Sequence, residues 1–226
     1  RVGNTETGLF WPALTLGVRD YDGWQTVAWK LQGKWIPKDF WRMDFEAGND
    51  TVETLTALNN RVTYNYAAAS ADWRFLPRWS ATLGGAVFRF DDGNRRARLV
   101  GRVERVMRRD QPRLTLGVEA MGFNDSDAAI ARGYYNPGRY REVKAYARAE
   151  HEAAGWLLGA KLALGRLDET PGTNSGLYAW ELSAARDLST QLQLRLYAGG
   201  SDSSALSRTG SGYTRHFLGA SLIWFY

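Results

Sequence analysis

Side-chain polarity in this chain alternates with a period of two residues, over stretches longer than the strands of soluble proteins. Leu218, Ala220, Leu222, Trp224 and Tyr226 are apolar, with Arg215, Gly219 and Ser221 between them. Leu192, Leu194, Leu196 and Ala198 oppose Gln193, Arg195 and Tyr197, and Val27, Trp29, Leu31 and Trp35 oppose Lys30, Gln32 and Lys34. Trp41, Met43, Phe45 and Ala47 oppose Arg42, Asp44 and Glu46 in the same way. A period of two is the mark of a strand with two unlike faces. One such segment would also suit a soluble sandwich, so the argument rests on the set.

Twelve segments qualify, near 9–20, 24–37, 40–49, 61–75, 80–90, 95–108, 113–123, 139–152, 156–167, 177–187, 191–201 and 213–226. Most are at least as long as the roughly 9–11 residues a tilted strand needs to cross a bilayer. The links alternate in length. Leu188–Thr190, Ala153–Gly155 and Asp110–Pro112 are tight, whereas Ser201–Gly212, Asp168–Gly176, Asn124–Gly138 and Asn49–Asn60 are long. Asp91–Asn94 and Tyr21–Gly23 are short where long links are due. Short periplasmic turns, long outer loops and an even strand count describe an outer-membrane barrel. The fold expected is all-β: a transmembrane antiparallel up-and-down β-barrel of about twelve strands, in one domain spanning 1–226, located in the cell outer membrane. Leu218–Tyr226 should close it against the strand near Leu9–Asp20 to remove both sheet edges.

Composition agrees. No apolar run approaches the roughly 18 residues of a membrane helix. Ten Trp and eleven Tyr in 226 residues suit the aromatic girdles of a barrel. The net charge of +5 is spread along the chain and not clustered, which argues against a nucleic-acid partner. With no cysteine, neither a disulfide framework nor a thiolate metal site can form, and no cofactor is expected. The start at Arg1, with no signal peptide, reads as a mature or trimmed product.

If the apolar face meets lipid, the other face lines the lumen. It carries Arg19, Lys30, Lys34, Arg42, Arg98, Arg102, Lys144, Arg148, Lys161 and Arg195, with Arg96 and Arg215, and the acids Asp44, Glu46, Glu104, Glu119, Glu142, Glu150 and Glu181. That face is richer in bases than in acids, so a water-filled passage would favour neutral or anionic solutes. The same charges could instead pair into a plug. Arg105 falls on the lipid face, through either a bulge or a place near the periplasmic interface. Ala67–Ala69, Gly84 and Gly85 point to tight curvature or a close neighbour in the lumen.

Catalysis finds little support. His151, between Glu150 and Glu152, belongs by a periplasmic turn, and His216 on the lipid-facing parity near the outer rim. They lie at opposite ends, so they cannot share a metal. No nucleophile is aimed at His216, although Ser203 to Ser211 lie in the adjoining loop.

The stretch Gly133-Tyr134-Tyr135-Asn136-Pro137-Gly138-Arg139-Tyr140 resembles a G-Y-[FYW]-x-P-x-x-Y element of the C-terminal barrels of exopolysaccharide exporters, of the cellulose and poly-N-acetylglucosamine secretion type. The resemblance covers roughly 133–226. Read without it, the tyrosines are interface aromatics and Pro137 turns a loop. Family barrels have more strands and follow periplasmic tetratricopeptide repeats. This chain is therefore either a barrel whose helical part was removed or a smaller relative. The resemblance implies a pore passing a polysaccharide or oligosaccharide, with Tyr140, Tyr146 and Tyr197 pointing inward by parity as stacking surfaces. Its partners would be outer-membrane lipid and lipopolysaccharide, a glycan cargo and a periplasmic secretion machine. The alternatives are a structural or docking barrel with a plugged lumen, a small general porin and, further off, a lipid-modifying enzyme.

Overall fold

The computed structural model describes residues 10–128, 133–172, 174–202 and 214–225. Its strands are β1 (Phe10–Tyr21), β2 (Trp24–Lys38), β3 (Trp41–Thr51), β4 (Thr63–Leu76), β5 (Trp79–Phe90), β6 (Arg95–Arg108), β7 (Arg113–Asp125), β8 (Arg139–Ala153), β9 (Trp156–Thr170), β10 (Asn174–Asp187), β11 (Leu192–Asp202) and β12 (Thr214–Trp224). They form one twelve-stranded sheet in chain order, and every neighbouring pair is antiparallel. This is the up-and-down order of a membrane barrel. No pairing joins β12 to β1 among the described residues, so the closure foreseen from the sequence is not part of this sheet. Leu9 and Tyr226, which that closure would have used, lie outside the described residues.

One face is apolar and bare. Leu16 is 69% exposed, Leu99 60%, Leu164 60% and Leu218 87%. Such a continuous surface is at home in lipid and would be a liability in water. Phe10 lies over Gly33 on this face, and Trp41 stacks on Trp73 at 5.2 Å near the short turns. Arg105 does face outward. It stays in register with Trp79, and its guanidinium lies 5.3 Å from that ring, while the register shift comes after Val106. Of the two explanations for its placement, the interface is the one found: the side chain is near the Arg109–Pro112 turn, with an aromatic partner.

The tight turns follow from chemistry. At Asp22-Gly23 both residues have positive φ (48° and 85°), the geometry a two-residue hairpin needs. Ala154-Gly155 does the same (51° and 76°), with alanine in a conformation that its Cβ resists. At the opposite end from β8–β9, residues 52–62 form a folded loop. It contains the short helix α1 (Leu55–Asn59), capped by Thr54, whose Oγ1 accepts from Ala57 N at 3.1 Å.

Candidate functional site: the charged wall and its outer mouth

The face opposite the lipid-type surface carries most of the charged side chains of the strands, and register brings them together. Arg102 is opposite Glu119, Glu119 opposite Lys144, Arg148 opposite Lys161 and Lys161 opposite Glu181. Lys144 pairs with Glu119 at 3.4 Å and also with Glu142, whose side chain is 2% exposed. Glu104 takes Arg148 at 3.3 Å and the Tyr146 hydroxyl at 2.6 Å. Lys161 lies 4.6 Å from the Tyr146 ring. Across the sheet, Arg19 reaches Asp50 at 2.9 Å and Glu53 at 2.7 Å, and Arg42 takes Asp44 at 2.8 Å. The exposed Arg42–Asp44 pair contributes about 0–1 kcal/mol. The Glu142 contacts matter more, because removing one partner of a buried pair leaves a charge with no water to solvate it.

The residues expected to line the lumen fall on this face wherever their side chains are described (that of Arg215 lies outside the described residues), but they do not offer the same surface. Arg98 is exposed, and its Nη2 lies 3.0 Å from the Met121 sulfur. Lys34 lies 5.2 Å from the Trp11 ring. Lys30 is opposite Thr15, and the Arg195 Nε donates to Gln193 Oε1. Tyr197 lies over Gly219 and is 45% exposed. Tyr140 and Tyr146, by contrast, are built into the wall. Tyr140 has no exposed surface: it stacks on Phe123 at 4.8 Å and gives its hydroxyl to Glu142. Tyr146 lies across Gly117, where a Cβ would collide with its ring. Neither has a ring face turned to the lumen.

Three acids on this face extend the expected set. Asp50, Asp72 and Asp125 engage Arg19, Thr82 and Arg96. They reduce the basic excess read from the sequence. Two of them were within reach: Asp50 and Asp125 continue the alternation of Asp44–Glu46–Gly48 and Glu119–Met121–Phe123 by one further step. Asp72 and the inward Tyr64 and Tyr66 lie in the alanine-rich segment, where small residues on both faces blur the contrast. Ala68, Ser70, Gly84 and Ala86 leave room against Lys34 and Arg98, bordering a recess of about 590 Å³.

The outer mouth is the most organised region. Residues 52–62 dock onto the chain that follows β7. Thr54 Oγ1 donates to Gly133 O at 2.5 Å, and Gly133, at φ +87°, lies so close to Thr56 that a Cβ would collide. Ala57, Val62, Phe90 and Tyr134 form one buried cluster. The Tyr134 hydroxyl donates to Asp92 at 2.8 Å and accepts from Asn94 at 3.1 Å. Burial pushes its phenol above the ordinary range, and the neighbouring Asp92 carboxylate adds to the rise. Arg96 holds Asp125 in a two-pronged pair (3.0 and 2.9 Å) and donates to Tyr135 O. Its guanidinium is 4.6 Å from the Phe123 ring and 5.6 Å from that of Phe90. The Gly-Tyr-Tyr motif is therefore no lipid-interface girdle: it folds inward and ties two outer loops to β5–β7. Beside it lies a recess of about 300 Å³, bordered by Tyr64, Phe88, Arg96, Arg98, Met121 and Tyr135.

His151 Nδ1 lies 3.3 Å from Gln111 Oε1 beside a short turn, and His216 is opposite Gly200 towards the far rim. Ser203 to Ser211 lie outside the described residues.

Comparison with known proteins gives the arrangement a context. The family model of the PgaA membrane beta barrel domain matches residues 10–153. No curated protein matches the chain. Among solved structures, a bacterial polysaccharide outer membrane secretin superposes with a TM-score of 0.81 at 15% identity, over 97% of this chain and 77% of that one. The KdgM porin in complex with disordered oligogalacturonate gives 0.45 at 10% identity, over 96% and 98%. The siderophore receptor PirA from Pseudomonas aeruginosa gives 0.51 at 9% identity, over 95% and 42%. At these identities the likeness to the secretin and the receptor is one of fold. The motif that suggested an exporter, Gly133–Tyr140, lies wholly within the matched span, whereas the resemblance read from the sequence runs on to about 226.

Proposed function

Since the chain belongs to the PgaA membrane beta barrel family, we propose that it is an outer-membrane pore through which a polysaccharide or oligosaccharide passes. Family membership carries this reading, and the fold shared with a polysaccharide secretin supports it. The inner wall suits the task. Its charges are of both signs and mostly paired with one another, so a hydrated, uncharged or weakly charged chain can slide past without being held by one strong field. The small residues Ala68, Ser70, Gly84 and Ala86 widen the passage on the β4–β5 side.

The pore-lining set is Arg19, Lys30, Lys34, Arg42, Arg98, Arg102, Glu119, Lys144, Arg148, Lys161, Arg195 and Tyr197, with Tyr140 and Tyr146 supporting the wall from within. The reading is of a passive conduit: its two histidines stand at opposite ends, His151 beside Gln111 and His216 opposite Gly200. Lipid and lipopolysaccharide surround it, and a periplasmic secretion machine delivers the glycan. Vesicles containing the chain and loaded with a labelled oligosaccharide should release it faster than empty vesicles. Equal release would refute the proposal.

A further inference from the structure

The recess at the outer mouth sets an arginine that has no carboxylate partner among the described residues beside aromatic rings. Most inner-wall cations have a carboxylate: Arg19, Arg42, Arg96, Arg102, Lys144 and Arg148 are all ion-paired. Among the described residues Arg98 meets only the Met121 thioether, at 3.0 Å, although it is exposed and carries five donors in a fixed fork. A thioether is a weak acceptor and cannot satisfy that fork. Beside it the aromatic rings divide into two groups. Phe90, Phe123 and Tyr134 are consumed in the buried stacks. Tyr64 and Phe88 are half-buried, meet edge to face at 5.8 Å and border the recess.

Resting on the glycan-passage reading, we propose that this recess is a sugar subsite for a carboxylate-bearing pyranose, a hexuronate unit of the cargo. The sugar ring lies against Phe88 and Tyr64, and its carboxylate takes the Arg98 fork. About 300 Å³ is at the small end of ligand pockets, enough for one or two sugar units and not for a folded chain. A planar carboxylate matches a guanidinium with two parallel hydrogen bonds, which a neutral hydroxyl pair does less well. The carboxylate at the recess rim, Glu53, is engaged by Arg19 at 2.7 Å, and Arg96 is neutralised by Asp125, so Arg98 sets the local preference. Arg98 also borders the deeper recess with Lys34. A uronate released from the mouth therefore meets a second cation along the wall.

Single-channel recording of the reconstituted chain tests this with a glucuronic-acid trimer and a neutral glucose trimer. The acidic trimer should block about tenfold longer than the neutral one, as a charge-assisted bidentate pair would give. Arg98→Gln should equalise the two, Arg98→Lys should restore part of the difference, and Phe88→Ala should shorten both blocks. Protection of the strands from added protease in intact vesicles, equal in Arg98→Gln and the unaltered chain, shows that the variant has folded. If both trimers block the unaltered chain equally, or if Arg98→Gln keeps the difference, the subsite is wrong while passage stands. If neither trimer blocks at all, both the subsite and the passage reading fall.

Discussion

Phe90 and Tyr134 stack nearly parallel, with ring centroids 4.6 Å apart and 10° between their planes. Phe90 ends β5, and Tyr134 belongs to the chain between β7 and β8, so this one contact fastens an outer loop to the inner wall. The Tyr134 hydroxyl then reaches Asn94, which has no exposed surface. The mouth of the barrel is thus held by burial and hydrogen bonds together.

Gly133 is the hinge of that attachment. Its positive φ disfavours any side chain, and a Cβ would meet Thr56 and the backbone of Ala57. Gly133→Ala should cost about 1–3 kcal/mol of local stability. Proteolysis in intact vesicles checks this: the outer loop should be cut faster while the strands stay protected.

Asp125 is hidden and held by Arg96 and Asn94. Asp125→Ala leaves Arg96, only 19% exposed, without its counter-charge, and should cost about 3–5 kcal/mol. Asp44→Ala, at an exposed pair, should cost no more than about 1 kcal/mol. Tryptophan fluorescence during urea unfolding in lipid vesicles measures both.

Ala154, at φ 51°, stores strain in the β8–β9 turn. Ala154→Gly should relieve about 1 kcal/mol, and Ala154→Asn nearly as much. The unfolding midpoint should rise for both. A fall would mean that the alanine methyl contributes contacts worth more than the strain.

Arg105 faces lipid beside Trp79 near the short turns, whereas Leu83 is central on β5. Arg105→Leu should therefore change stability by less than about 1 kcal/mol, while Leu83→Arg should cost about 2–4 kcal/mol. Similar costs for the two would place Arg105 deep in the membrane.

The strands were legible because each carries its own period of two, a local signal. The twelve segments agree with the observed strands to within a few residues, and the inner face of β6 to β9 follows from parity alone. What parity could not give is depth. Tyr140 and Tyr197 both read as inward, yet only Tyr197 is open, because Tyr140 is covered by Phe123, Leu167 and Leu177 from three different strands. The mouth was hidden for a similar reason. Helix α1 is too short to show a helical period, and the Thr54–Gly133 and Phe90–Tyr134 contacts join segments far apart in the chain. Resemblance drew attention to Gly133–Tyr140, and only the structure shows the motif folded inward.

Planar-bilayer recording with a neutral oligosaccharide addresses the central claim directly. The reconstituted chain should give discrete conductance steps that the sugar interrupts, more often as its concentration rises. Steps that ignore the sugar, or no steps at all, would contradict a glycan pore.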